Sequence, residues 1–92
     1  AQPIGATDGD NQKKVLVKFF TPWSYWTWYA VEFDGNGLFF GYVEGQDNEW
    51  GYFSLKDLSA IEGPFGLQVE RDLFFKDKMI NAAGHIWTAQ ED

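Results

Sequence analysis

The side chains able to do chemistry are few and scattered. The only histidine is His85, in Gly84-His85-Ile86, and the serines are Ser24, Ser54 and Ser59. Acyl transfer needs a hydroxyl nucleophile held against a base, which serine hydrolases present in a Gly-x-Ser-x-Gly turn. No such turn occurs here, so Ser/His catalysis has no support and no catalytic residue is assigned. The densest charge cluster is Glu70-Arg71-Asp72. On a strand Glu70 and Asp72 share one face and Arg71 takes the other. Paired carboxylates can do acid–base work or hold a cation, while a solvated face or cross-strand ion pairs are the plainer reading. Asp34-Gly35-Asn36-Gly37 is similar to the opening of a calcium loop. Such a loop needs Gly and Glu where this chain has Phe39 and Gly45, so the segment reads as a hairpin turn. No metal site and no cofactor is expected.

The composition narrows the field further. The chain has 92 residues and no cysteine, which removes disulfides, zinc thiolates and thiol catalysis. Its net charge is −7, from 14 acids and 7 bases. No base falls between Lys18 and Lys56, whereas Glu32, Asp34, Glu44, Asp47 and Glu49 all do. Direct nucleic-acid binding is disfavoured, because that affinity comes largely from Lys and Arg neutralising phosphates. If those five acids form one exposed stripe, they suit an acidic, nucleic-acid-mimicking inhibitor of a DNA-binding protein. No apolar run is long enough to span a membrane, and Ala1 to Gly5 has neither the basic nor the apolar region of a signal peptide. A cytoplasmic location is therefore expected.

Aromatic residues make up 20% of the chain. They fall in segments that read as an α+β domain with a four- to five-stranded, mainly antiparallel sheet and one short helix after the fourth strand. Residues 1–13 are small and polar and read as a flexible arm, 14–88 as the domain and 89–92 as a tail. The strands are expected at Val15–Phe20, Tyr25–Phe33, Leu38–Glu44, Glu49–Phe53 and Gln68–Phe75. Asp34-Gly35-Asn36-Gly37 supplies the positive φ angles of a tight hairpin, which predicts Val31 opposite Phe40 and Tyr29 opposite Tyr42. Ser54 begins a helix as its N-cap, with Asp57 at the positive end of the dipole and Leu55, Leu58 and Ile61 as its apolar stripe. Beyond Lys76 the pattern is weak, with Ile80, Ile86 and Trp87 as anchors.

In that register both faces of the second and third strands are apolar. A sheet with one wet face alternates more cleanly, so something beyond the short helix must cover the second face. Trp23, Tyr25, Trp26 and Trp50 are the rings expected at a partner interface, because contiguous apolar surface usually marks one.

The order of segments resembles a family of small bacterial proteins known as a domain of unknown function, number 2958. The resemblance rests on Lys18-Phe19-Phe20-Thr21-Pro22, Thr27 to Asp34, Phe40 to Gly45, Gly51 to Leu58 and Gly63 to Phe75, and it covers residues 16–76. It implies one intact bacterial domain of cytoplasmic type, often carried on mobile elements, and it assigns no activity. It draws attention to Glu70, Arg71 and Asp72, which lie in its most characteristic segment. The expected function is a non-enzymatic accessory protein that binds a protein partner, or itself, through the aromatic surface. The alternatives are the acidic inhibitor and a small-ligand-binding domain with a pocket between helix and sheet.

Overall fold

The computed structural model describes residues 2–89. Its strands are β1 (Gln12–Lys14), β2 (Val17–Phe20), β3 (Thr27–Phe33), β4 (Leu38–Glu44), β5 (Asn48–Ser54), β6 (Glu70–Arg71), β7 (Lys78–Asn81) and β8 (Ile86–Thr88). One helix, α1 (Leu55–Ala60), follows β5, and a tight left-handed turn spans Pro64–Gly66. All strand pairings are antiparallel and form two sheets, β5-β4-β3-β2-β6 and β1-β7-β8. The class is the expected α+β, with more strands than the sequence suggested.

The added strands come from the two ends of the chain, which read as arm and weak tail. The small sheet they form supplies the cover for the second face. Val15, Tyr29, Val31, Tyr42 and Ile80 form one buried cluster, with Phe40, Trp50, Phe75 and Ile86 packed on it. Phe19, Trp28, Ala30, Phe39, Phe53 and Leu58 form the other, beneath α1. Ser54 caps that helix by accepting the Asp57 N–H at 3.0 Å, as expected.

The β3–β4 register departs from the predicted one at a single place. Tyr29 pairs with Tyr42 as predicted and Trp28 with Val43, but a bulge between Ala30 and Glu32 sets Glu32, not Val31, opposite Phe40. A bulge puts one extra residue on its strand and re-aims the side chains beyond it. Phe33 therefore joins Phe39, ring centroids 4.7 Å apart, on the helix side. Gly41 stands opposite the distortion, where an added Cβ would come within 1.9 Å of the Tyr29 carbonyl oxygen. A glycine there allows the close backbone approach.

The same bulge turns Glu32 inward, where it is 1% exposed. The N-terminal segment closes over it. Gly5 N–H donates to one carboxylate oxygen at 2.7 Å, and Thr7 N–H donates to the other at 2.9 Å. The Thr7 hydroxyl also donates to the second oxygen, and Lys13 Nζ donates to that hydroxyl at 3.0 Å and to the Thr7 carbonyl. Gln2 completes the clamp: its carbonyl accepts from Phe33 N–H at 2.8 Å, and its side-chain amide donates to the Val31 carbonyl at 2.6 Å. The segment expected as a flexible arm is thus pinned by backbone groups that the bulge withdraws from the ladder.

Burial raises the pKa of Glu32, but the hydrogen bonds from Thr7 and Gly5 and the charge of Lys13 outweigh it, leaving the pKa below its ordinary 4.5. A carboxylate with a depressed folded-state pKa contributes stability that is complete above its unfolded value. That contribution is lost as pH falls through the folded value. Glu32→Gln offers one acceptor oxygen and sets an NH₂ against an N–H donor. It is expected to cost about 2–4 kcal/mol at neutral pH. Urea midpoints measured from neutral pH down to about 3 should show wild-type stability falling more steeply below 4.5 than that of the variant. Parallel curves would contradict this role.

Candidate partner-binding surface

Where β2 ends, Pro22 starts a turn that the sequence around it holds shut. Thr21 is buried; its N–H donates to the Trp26 carbonyl at 3.0 Å, and its hydroxyl lies 2.9 Å from that of Ser24. This turn presents three large rings in four residues. Trp23 lies flat on Gly63, where a Cβ would come within 2.4 Å of the indole. Trp26 lies likewise on Gly45, at 2.2 Å, and stacks on Trp28 with centroids 5.9 Å apart. Tyr25 points outward, 67% exposed. Between Trp23 and Trp26 opens a cleft of 350 Å³ floored by Trp28 and bordered by Ile61 and Glu62.

The segment after α1 borders this surface through Ile61, Glu62 and Gly63. Glu62 bridges Gln68, Gly63 N–H donates to the Leu67 carbonyl, and Leu67 N–H donates to the Pro64 carbonyl at 3.1 Å. Phe65 and Gly66 occupy the two central positions of this turn with φ of 59° and 75°. That is the type I′ geometry in which Asn-Gly is preferred, because a left-handed residue with a Cβ costs roughly 1–2 kcal/mol. Phe65 bears that strain with its ring wholly in solvent. The sequence pattern does not single out Phe65. Its local signal is Pro-Phe-Gly between residues that pair.

Trp50 does not belong to this surface. It lies on the opposite sheet face, stacked on Phe40 at 5.9 Å, with its indole N–H donating to the Ala82 carbonyl at 3.0 Å. The structure thus does not bring Trp50 together with Trp23, Tyr25 and Trp26. The acidic stripe is also absent as one surface. Glu32 is buried, and Asp34 is spent on the β3–β4 turn, accepting from Asn36 and Leu38 N–H. Glu44 stands at the far end of the same hairpin beside the loop carrying Asp47, with Glu49 on β5.

Glu70 and Arg71 are exposed on β6, paired with Phe20 and Phe19 of β2. Asp72 is committed elsewhere: its carboxylate accepts from Phe74 N–H at 3.0 Å and lies 3.7 Å from Lys18 Nζ. That turn is why the strand expected to reach Phe75 stops at Arg71. His85 is exposed and stacks on Trp87, while Ser24 and Ser54 serve local turns and caps. The Tyr29 hydroxyl is pushed above its ordinary 10.0, chiefly by burial and then by the charge of Glu44, so it stays protonated. Among the described residues no group of three or more acids or histidines could hold a metal ion, and no helix is long and apolar enough to cross a membrane.

Because Phe65 buries nothing, replacing it should relieve strain without loss of packing. Phe65→Asn is expected to raise stability by about 1 kcal/mol, read as an increase in the urea midpoint at unchanged m-value. A lower midpoint would show that the ring contributes to the fold.

No curated protein and no solved structure matches the chain significantly. The family model described as "Protein of unknown function (DUF2958)" matches residues 4–90, taking in both the clamped N-terminal segment and the β7–β8 hairpin. The chain belongs to that family.

Proposed function

We propose that the protein is a non-catalytic interaction module that docks a protein partner through Trp23, Tyr25, Trp26 and Phe65. The observation that carries this reading is Phe65. An apolar ring held in a disfavoured backbone conformation and left in water gains nothing for the isolated fold, and such strain persists chiefly at functional sites. Its turn starts beside Gly63, on which Trp23 lies, so the strained ring extends an aromatic surface already formed by the Pro22 turn. Trp and Tyr are the residues that dominate binding energy at protein interfaces. The serines, the histidine and the acids have local structural partners or stand apart in water, which favours binding over chemistry.

The reading of the second sheet face as partner surface loses its basis, since the chain's own ends cover it. The acidic-inhibitor alternative loses its basis with the buried Glu32.

A photo-crosslinking amino acid placed at position 25 in cells making the protein tests the reading, with the same group at the exposed Lys56 of α1 as control. Position 25 should give a discrete protein adduct that position 56 does not, and Trp26→Ala combined with Phe65→Asn should abolish it. Equal adducts from both positions, or an adduct indifferent to the double variant, would contradict the proposal.

A further inference from the structure

At the opposite end of the sheet lie two depressions that share residues. One, of 480 Å³, is walled by Phe19, Phe33, Phe39, Leu55 and the pair Leu16–Val17, with Arg71 its only charged group. The other, of 340 Å³, carries Lys14, Arg71 and Lys76 together with Asp72 and Asp77. The two arms share Leu16, Val17 and Arg71, but the apolar arm opens on the face with Phe19 and Phe39 and the cationic arm on the face with Val15 and Phe75.

The charge around Arg71 runs against that of the molecule. The chain carries 7 bases and a net −7, yet three of those bases line one arm. Asp72 is neutralised there by Lys18 at 3.7 Å, the only ion pair among the described residues. Lys14, Arg71 and Lys76 therefore face Asp77 alone, a local surplus of positive charge. The apolar arm is lined by no hydrogen-bonding side chain except Arg71, which also lines the cationic arm. Its volume lies within the range of small-molecule sites, roughly 300–1,000 Å³.

We infer that the apolar arm binds a small amphipathic carboxylate, its acyl or aryl body against Phe33, Phe39 and Leu55 and its head on Arg71. A guanidinium suits this place because its fork takes a carboxylate through two parallel hydrogen bonds. The flat wall of Phe33 stacked on Phe39 suits a chain or a ring, and the absence of other polar groups there selects an uninterrupted apolar body. The net charge of −7 disfavours docking of the protein as a whole on an anionic bilayer. The ligand is therefore a free molecule. This site stands apart from the aromatic surface and does not rest on it.

Isothermal titration of the full chain with dodecanoate and with dodecyltrimethylammonium separates head from tail, since the two share a chain and differ in charge. Dodecanoate should bind at a one-to-one ratio, and the cation about tenfold or more weaker. Arg71→Ala, a change at an exposed side chain, should weaken dodecanoate by about tenfold. Leu55→Glu, with folding checked by circular dichroism, should weaken it through the apolar arm, and an unfolded Leu55→Glu leaves the decision to Arg71→Ala. The inference is overturned by equal affinity for the two amphiphiles, by unchanged affinity in Arg71→Ala, by no heat with dodecanoate below its micelle concentration, or by binding seen only with anionic phosphatidylglycerol vesicles.

Discussion

The architecture depends on one buried carboxylate. Glu32 sits in the interior because a bulge in β3 turns it there, and an unpaired charge in that position would be unaffordable. The N-terminal segment supplies the donors that make it tolerable: Gly5 N–H, Thr7 N–H, the Thr7 hydroxyl and the nearby charge of Lys13. Gln2 satisfies the backbone groups of Val31 and Phe33 on either side. Clamp and bulge require each other. Without the segment, Glu32 would be buried with no partner; without the bulge, the segment would have nothing to bond to.

That dependence explains how so small a chain covers both faces of an apolar sheet. The clamp holds the start of the chain over β3, and β1 then pairs with β7, which pairs with β8. Ile80, wholly buried, carries that small sheet onto Tyr29, Val31 and Tyr42. Rings and glycines are matched on both sides: Tyr42 lies against Gly84, Trp26 against Gly45 and Trp23 against Gly63. An indole or phenol laid on bare backbone brings a large apolar area out of water without needing a deep core. The most exposed apolar side chains, Tyr25, Phe65, Leu73 and Phe74, stand in turns, while Tyr52 on β5 and Leu55 on α1 are exposed as well.

Local signals in the sequence predicted the elements they govern. The Asp34–Gly37 turn, the Ser54 cap and the central pairing of Tyr29 with Tyr42 were legible because each is set by a few neighbouring residues. The need for a cover on the second face was also legible, from two apolar faces and one short helix. Its source was not. The segment before Val15 is polar and without period, and nothing local shows that Thr7 is destined for a carboxylate distant in sequence. The bulge was hidden for the same reason, since alternation through Val31-Glu32-Phe33 reads as an unbroken strand. Trp50 was assigned to the interface because ring type does not reveal face, and its partner Ala82 lies in the hairpin that sequence pattern left unassigned. Phe65 escaped because a left-handed aromatic residue contradicts the preference by which turns are read.

If the chain's own ends form part of the folded unit, their hydrogen bonds must open only when the body opens. Native-state hydrogen exchange of the full chain reads this at two amides: Phe33 N–H, bonded to the Gln2 carbonyl, and Val15 N–H, bonded to the Lys78 carbonyl. The account predicts that both exchange with an opening free energy close to that of the central amides of β3 and β4. Exchange of Phe33 and Val15 at the rate of an unprotected peptide, with Trp28 and Tyr42 still protected, would show that the ends detach freely and that something else must cover the second face.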